Sequence, residues 1–358
     1  MHELRSRSLW ALTLLCNVVL MGGPPGESQI EPPETGVRVV ANEAARRVDV
    51  FADGKPFTSY IWPGTIKKPV LYPLRTAAGT IVTRGYPLEA RPGERIDHPH
   101  HVGLWFSYGD VNGLDFWNNS DAIKAADRHK YGSIRHVRIK RMMSGKDRGE
   151  LEVEMEWIRP DGKPLLREET TFIFYAAPNR NAIDRITKLT AIGERVTLAD
   201  NKEGMLGLRV ARQLEQPSDK PEVFTDASGK PTSVPKMDNA GVSGRYRSSE
   251  GKTGDEVWGT RGRWVTLTGR IGQEDITIAI LDHPNNPGYP TYWHARGYGL
   301  FAANPLGQAV FSNGTHKLNF TLEPNRPATF RYRILILSGE TAPQDMESLY
   351  RRFVDEIK

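Results

Sequence analysis

Cysteine is almost absent from this sequence: Cys16 is the single one among 358 residues. It lies in an apolar run at residues 9–21, which follows a short basic stretch at 5–7 and precedes two glycines at 22–23. This order is typical of a secretory signal peptide, which we predict at residues 1–23, and the run is short for a membrane span. Cleavage there leaves no cysteine, which excludes disulfides, thiolate nucleophiles and cysteine-ligated zinc or iron–sulfur centres.

Long apolar runs and blocks of one charge are also missing after residue 23. No later stretch approaches the roughly 18 apolar residues of a membrane helix, so we expect no membrane span in the mature chain. The formal charge is +5, but the basic residues are dispersed among carboxylates and form no block that could follow a phosphate backbone. The sequence therefore predicts a periplasmic or secreted protein with no nucleic-acid partner.

The hydrophobic pattern alternates with period 2, which is typical of half-buried strands. Alternating segments around a turn sequence predict four hairpins, at 48–62, 150–175, 264–281 and 317–337. Hairpins at this spacing indicate a mainly β fold, a large antiparallel β-sandwich. We expect it to form a single domain over residues 37–358, after a disordered linker at 24–36.

Two segments depart from the strand pattern. At the C-terminus, Thr341 and Pro343 predict a cap and first turn, and apolar residues then recur at helical spacing: Met346, Leu349, Tyr350, Phe353 and Ile357. We expect this helix to cover an edge or an end of a sheet. Residues 216–256 are polar, rich in proline, serine, glycine and lysine, and without clear strands, which predicts either a functional loop or a mobile insertion.

Chemically versatile side chains concentrate first at residues 94–105, where three of the nine histidines fall within four positions. The proline after His98 favours an extended backbone. In an extended chain His98 and His100 point to one side and His101 to the other. Two imidazoles beside Asp97 suit either acid–base catalysis or a metal site, since histidines two positions apart on a strand are a common ligand pair.

A second concentration lies in a loop rich in proline and glycine at residues 282–299, which repeats the Asp-His-Pro tripeptide of 97–99. Loops of this kind on a rigid sandwich often form ligand sites. This loop supplies Asp282, His283, Tyr292, Trp293, His294 and Arg296. A third concentration lies at 200–209, where Glu203 and Arg209 flank an apolar strand that is able to carry them to the end of the sheet.

The residue types in these stretches suit a sugar site. Aromatic faces pack on the apolar faces of pyranose rings, and charged groups hydrogen-bond to hydroxyls. The fragment WGTRGRW at 258–264 adds tryptophan and arginine to the same pattern.

The stretches that hold these residues resemble a known family. The segments at 72–118, 200–212, 257–265 and 282–308 look like the bacterial family named methane oxygenase PmoA, over about residues 40–340. The membrane methane monooxygenase subunit of that name is a bundle of transmembrane helices, whereas this sequence predicts strands, so the resemblance implies family membership without methane oxidation.

A more distant likeness concerns the fold. The strand pair at 318–336 is similar to the end of galactose-mutarotase-like β-supersandwich domains. That group includes mutarotases, lyases and glycoside hydrolases, and the likeness implies histidine and carboxylate chemistry on the concave face of the larger sheet.

The main hypothesis is an exported carbohydrate-active enzyme, of hydrolase, lyase or epimerase type, that requires no cofactor. Its proton donors would be His98, His100 and His294. Its base would be Asp97, Glu203 or Asp282. Its substrate contacts would be Arg84, Trp105, Arg209, Tyr292, Trp293 and Arg296.

Two alternatives stay open. One is a metal-dependent protein, in which a divalent ion is bound by His98, His100 and either His283 or His294; neutral imidazoles suit copper, zinc or iron. The other is a non-catalytic glycan-binding protein that depends on its aromatic side chains, Trp105 and Trp293.

Overall fold

The computed structural model describes residues 35–226, 230–234 and 238–358. The predicted signal peptide and nearly all of the predicted linker lie outside the described residues. Within these ranges, no helix has the length and apolar character that a membrane span needs.

Strands dominate the described chain. In chain order they are β1 (Val37–Asn42), β2 (Arg47–Ala52), β3 (Lys55–Ile61), β4 (Val70–Leu71), β5 (Leu104–Phe106), β6 (Ser133–Met143), β7 (Gly149–Ile158), β8 (Pro164–Ala177), β9 (Arg180–Ala191), β10 (Val196–Leu198), β11 (Leu206–Arg209), β12 (Glu222–Thr225), β13 (Pro231–Val234), β14 (Arg245–Ser248), β15 (Trp264–Ile271), β16 (Glu274–Asp282), β17 (Tyr292–Arg296), β18 (Leu300–Asn304), β19 (Phe320–Leu322) and β20 (Ala328–Ser338). The α-helices are α1 (Gln308–Phe311) and α2 (Pro343–Glu356), and short 3-10 segments lie at Glu43–Ala45, Ala125–Lys130, Arg212–Leu214 and Gly254–Val257.

Two antiparallel sheets of eight strands pack face to face. The first has the order β1-β2-β3-β4-β5-β11-β18-β17, and the second has the order β14-β15-β16-β20-β9-β8-β7-β6. One core cluster joins both inner faces, with Leu104 and Phe106 from the first sheet and Trp157 and Ile334 from the second. The predicted antiparallel β-sandwich is confirmed.

Strand β7 shows why this sequence forms such a sheet. Its residues alternate strictly between buried and half-buried positions, so the apolar ones face the core, as period 2 requires. The glutamates between them face outward, where Glu154 accepts hydrogen bonds from Arg138 of β6 at 2.6 and 3.0 Å. The same alternation makes the other strands readable in the sequence.

Three of the four predicted hairpins are present. In the first, β2 and β3 meet at Asp53 and Gly54, which have φ of 47° and 75°. Positive φ at both turn positions matches the right-handed twist of the strands. The hairpins β7–β8 and β15–β16 also form as predicted.

The fourth predicted hairpin is wrong. Strand β19 pairs with β10, while β20 pairs with β9 and β16 in the second sheet. Pro324 and Pro327 border the connection and have no N–H to donate to a ladder, so the chain leaves one pairing and enters another.

Helix α2 packs across a sheet face and not at an edge. Its buried residues Met346, Tyr350 and Phe353 join Trp264 and Leu335 of the second sheet in a separate apolar cluster. Pro343 occupies the first turn as predicted, but the N-cap is Ala342, which offers no side-chain hydrogen bond. The helix covers the outer face of the second sheet. It does not cover the outer face of the first sheet.

Candidate functional site

The predicted site residues of β11 and β17, except Trp293, lie on the outer face of the first sheet. Successive side chains of a strand point to opposite faces. Leu208 of β11 and Trp293 of β17 belong to the core between the sheets. Arg209, His294 and Arg296 therefore project from the other face.

The histidine loop that precedes β5 is a turn and not an extended segment. His98 has φ of 41°, and the His101 N–H donates to the His98 carbonyl at 2.9 Å. Side chains three positions apart lie over each other in such a turn, and the His98 and His101 rings are parallel, with centroids 4.8 Å apart. The predicted extended backbone is wrong here, and so is the expectation that His101 points to the side opposite His98.

A column of four rings rises from the sheet to the surface. Trp105 stacks on His101 with centroids 5.1 Å apart, His101 stacks on His98, and His98 stacks on Tyr298 at 5.1 Å. Trp105 and His101 are buried, whereas 41% of the His98 side chain is exposed. The column therefore fixes the plane of an imidazole that remains open to a ligand.

Asp97 fixes the orientation of the His98 ring within its plane. Its Oδ2 lies 2.9 Å from His98 Nδ1, and its Oδ1 accepts from Arg209 Nη2 at 2.6 Å and also from Arg84. Burial alone would raise the pKa of Asp97, but the hydrogen bond with His98 and the charges of Arg209 and Arg84 hold that pKa well below its usual range. The ionised carboxylate accepts from Nδ1–H, which directs the lone pair of Nε2 outward.

Two of the three arginines predicted to bind substrate, Arg84 and Arg209, instead hold the loop in place. Arg84 is buried and donates to the carbonyls of Asp97 at 2.9 Å, His98 at 2.9 Å and His101 at 3.1 Å. Arg209 is also buried and places its Nη1 3.3 Å from His101 Nδ1. Their predicted contact with substrate finds no support in this geometry, because neither guanidinium is exposed.

His294 is a second imidazole on this face. Its Nδ1 lies 3.0 Å from the Lys202 carbonyl, which can only accept, so Nδ1 carries the proton. Burial, followed by the charges of Lys202 and Arg296, lowers the pKa of His294 to about 3. His294 is therefore neutral at pH 7, with Nε2 as an acceptor. Glu203 lies beside it, with Oε2 3.8 Å from Nδ1, and Lys202 Nζ donates to Glu203 Oε1 at 2.5 Å.

Three aromatic residues predicted as substrate contacts are covered. Trp293 lies in the core, where its Nε1 donates to the Gly262 carbonyl at 3.1 Å. Tyr292 stacks against Phe311 of α1 with centroids 5.4 Å apart. Trp105 is the buried base of the ring column. None of the three offers a free face, so a direct role in binding is not supported here.

The second Asp-His-Pro tripeptide lies away from the histidine loop. Asp282 is fully buried and accepts from Asn286 Nδ2 and from the Thr291 N–H, both at 2.8 Å. The ring of His283 lies edge-on to Phe353 of α2, with centroids 5.3 Å apart. The structure thus places these two predicted site residues beside the helix.

This placement bears on the predicted metal site. His283 is not near the ring column, and among residues 35–226, 230–234 and 238–358 no group of three or more His, Cys, Asp or Glu side chains is arranged to hold a metal ion. The metal hypothesis, with either His283 or His294 as the third ligand, stays a prediction.

A cavity of about 420 Å³ opens beside Tyr298, within the range of roughly 300–1,000 Å³ that is usual for small-ligand sites. Its lining includes Lys220, Glu222, Asp255, Trp258, Arg296 and Tyr298. Trp258 is 38% exposed, and the Arg296 guanidinium lies 5.6 Å from its ring and 5.9 Å from that of Tyr298. Tyr298 belongs to both the cavity and the ring column, and therefore joins the two.

Tyr298 and Trp258 were not among the predicted site residues. Trp258 stands in the WGTRGRW fragment and Tyr298 in the loop at 282–299, so both signals were present. What the sequence did not show is that the connection between β17 and β18 brings Tyr298 over His98.

The polar insertion at 216–256 forms part of the cavity wall. It contains strands β12, β13 and β14, although the sequence showed none clearly. The Ile96 N–H donates to the Val223 carbonyl and the Thr225 N–H to the Glu94 carbonyl, both at 2.9 Å. Strand β12 therefore pairs with the segment that immediately precedes Asp97. A larger cavity of about 820 Å³ is also lined by residues of β12, but no predicted histidine lines it.

The family comparison covers most of the chain. The model of DUF6807, described as a family of unknown function, matches residues 47–351. The PmoA resemblance is not confirmed by this match and stays a prediction. No curated protein matches the sequence.

The solved structures to which this chain is similar are very distant in sequence. The α-galactosidase AgaB of Geobacillus stearothermophilus, from family GH36, is 10% identical with a TM-score of 0.41, over 85% of this chain and 41% of that chain. The galactose 1-epimerase of Lactobacillus acidophilus NCFM is 10% identical with a TM-score of 0.33, over 82% of this chain and 95% of that chain. The chain thus spans about two fifths of the length of the solved α-galactosidase.

Proposed function

This chain belongs to DUF6807, a family of unknown function, and we propose that it is a carbohydrate-active enzyme that uses His98 for proton transfer. One observation carries the proposal. A half-exposed imidazole is fixed in plane by stacked rings and fixed in tautomer by an ionised carboxylate, and one of the rings stacked on it, Tyr298, lines an open cavity.

Proton transfer is what this arrangement performs best. A general base needs an available lone pair and a defined direction. Asp97 accepts a hydrogen bond from Nδ1–H and leaves Nε2 free, and it stabilises the imidazolium that forms when Nε2 takes a proton. His98 is the base in the forward step and the acid in the return.

His294 supplies a complementary group on the same face. It is neutral and presents Nε2 as an acceptor, and the charge of His98 is among the influences that lower its pKa. A neutral imidazole on the same face is a second group that is able to accept a proton from a bound sugar.

Recognition of a sugar falls to the cavity. The exposed face of Trp258 offers a platform for a pyranose ring, and Arg296 above it donates to hydroxyl or carboxylate oxygens. Mixed charges at Lys220, Glu222 and Asp255 complete a polar rim.

The geometry favours an epimerase or lyase type over a glycoside hydrolase. Hydrolases generally need two carboxyl groups across the scissile bond. Asp97 is committed to two arginines and His98, and Glu203 is bound to Lys202. Among the described residues on this face, imidazoles are better placed than carboxylates to exchange protons.

The test is proton exchange. Purified protein is incubated in D2O with reducing sugars and uronates, and NMR follows anomer interconversion and the loss of C–H signals. We expect catalysed exchange with at least one sugar class, and a decrease of about 10²-fold or more in His98→Asn. His129→Asn is the matched control, since His129 is exposed, and it should retain the full rate.

Two other outcomes decide against catalysis. Sugar binding that quenches Trp258 fluorescence without exchange or turnover would identify a non-catalytic glycan-binding protein. Neither binding nor exchange with any sugar would contradict a carbohydrate role altogether. The proposal also includes action in the periplasm or outside the cell, which the predicted signal peptide supports and which fractionation of producing cells tests.

A further inference from the structure

Lys68 is a buried lysine without a paired carboxylate among the described residues, and burial lowers its pKa to about 7, so its charged form lacks a stabilising anion. Its residue is 4% exposed, and Nζ donates to the Trp117 carbonyl at 2.7 Å. Among the described residues, no carboxylate oxygen lies within ion-pair distance of Nζ. Asp115, whose charge acts on Lys68, directs its oxygens to the Trp117 N–H and to Asn118. Buried charges in proteins are normally paired, because an isolated one is costly.

The imidazole of His100 is the second unsatisfied group. Its ring lies edge-on to those of His98 and His101, and its Nε2 is buried with no hydrogen-bond partner among the described residues. Its ring centroid is 4.3 Å from that of His101 and 5.6 Å from that of His98. After burial, the charge of Lys68 is the largest influence that lowers the pKa of His100, so the two groups are close.

A very small cavity is lined by both Lys68 and His100. Its volume is about 10 Å³, and Asn119 and Ser120 also line it. A space of this size admits about one water-sized particle. The Asn119 amide already donates to the Gly132 carbonyl at 2.7 Å and to Ser133 Oγ at 3.1 Å, so it is not the partner that Lys68 lacks.

We propose that this cavity is a binding site for one monatomic anion, a halide such as chloride, held by the Lys68 ammonium and by His100 Nε2–H. A water molecule accepts a hydrogen bond from the ammonium but does not compensate its charge. A halide accepts the hydrogen bond and compensates the charge. Sulfate and phosphate are too large for a single-particle space. The site is distinct from the sugar cavity at Tyr298.

The position of the site gives the anion a structural role. His100 lies between His98 and His101 in the chain, and both of those rings belong to the column. An anion that anchors His100 therefore anchors the turn from which His98 projects. Halide binding does not depend on which reaction occurs at His98, so the two proposals fail separately.

The test needs no substrate. Thermal unfolding of the protein is followed in chloride, bromide, gluconate and sulfate at one ionic strength. We expect a saturable rise in Tm of about 2 °C or more with chloride and bromide only. A crystal soaked in bromide should show an anomalous peak within hydrogen-bond distance of Lys68 Nζ and His100 Nε2.

Variants identify the ligands. Lys68→Met should lose the halide-dependent rise, and Lys130→Met should keep it, because Lys130 is an exposed lysine paired with Asp127. The bromide experiment on the unaltered chain stands even if Lys68→Met does not fold. Equal Tm in all four salts, together with a cavity peak that has no anomalous signal, would show ordinary water there and overturn the proposal.

Discussion

The same tripeptide, Asp-His-Pro, serves two unlike purposes in this protein. At 97–99 the aspartate is bound by two arginines, and its pKa is held well below its usual range. At 282–284 the aspartate accepts hydrogen bonds from neutral groups, and burial raises its pKa to about 7. His98 is half-exposed and stacked, whereas His283 lies against Phe353. The charge and the role of such a motif are set by what the fold packs around it.

Among substitutions in the two tripeptides, Asp97→Asn should have the largest effect on stability and activity. The amide leaves Arg84 and Arg209 buried without their carboxylate, and removal of one partner from a buried ion pair costs about 3–5 kcal/mol of unfolding free energy. The amide also no longer fixes the His98 tautomer, so we expect a further loss of about 10²–10⁴-fold in kcat. Urea unfolding and the exchange assay measure the two effects.

A matched control for Asp97→Asn is available on the same sheet. Asp49 is paired with Arg47 near the surface, and such pairs contribute no more than about 1 kcal/mol. Asp49→Asn should therefore keep kcat and lose little stability. Equal losses in the two variants would mean that the buried arginines do not depend on Asp97.

Asp282 should make the stability of the protein fall as the pH rises, which is opposite to the effect of Asp97. Its folded pKa is raised from 3.8 to about 7, so between these values the folded state holds a proton that the unfolded state has released. Its contribution to stability is complete below about pH 4 and is lost as the pH rises to 7, by about 4 kcal/mol. We expect Asp282→Asn to lack this loss.

The buried neutral histidines have the reverse sign and require a difference measurement. The lowered pKa of His294 makes stability fall as the pH drops below the usual histidine range. The free energy of unfolding is therefore compared between the original chain and Asp282→Asn at each pH, which cancels the histidine contribution. A difference that is constant from pH 4 to 7 would show that Asp282 is ionised throughout.

The fold was largely predictable, because apolar and polar residues alternate in the sequence wherever one face of a strand is buried. In β7 every second residue is apolar, and the hairpin follows from that pattern and the turn at Gly162. The pairing of β19 was not predictable from its own residues, since its partner β10 lies more than a hundred residues earlier in the chain.

The site was predictable in residue type and not in arrangement. Three histidines beside an aspartate indicated proton chemistry, but the left-handed φ of His98 belongs to a turn in which His101 stacks on His98 and His100 meets it edge-on. The covering of Trp293 follows from the register of β17, where it takes an inward position. The sequence does not distinguish an arginine that hydrogen-bonds to a loop from one that binds substrate, because the difference lies in the acceptors that its N–H groups reach in the fold.

The role of Arg84 can be sharpened by a conservative change. Arg84→Lys keeps the charge, but a single ammonium cannot reach three carbonyls and a carboxylate. We expect a loss of about 1–3 kcal/mol in stability and a lower kcat with little change in KM, since the residue positions His98 without touching substrate. Arg270→Lys, at an exposed pair with Asp275, should change neither quantity appreciably. A rise in KM alone would reassign Arg84 to substrate binding.

The smallest expected effect completes the comparison. His283→Asn keeps an oxygen close to where Nδ1 accepts from the Asn285 N–H, but it removes the ring contact with Phe353. We expect a loss of about 0.5–1.5 kcal/mol in stability and an unchanged kcat. The same substitution at His98 should do the opposite, with little loss of stability and a large loss of rate. If His283→Asn slowed the reaction at full stability, the second tripeptide would be part of the active site, and the division between an arginine-bound catalytic copy and a buried structural copy would fail.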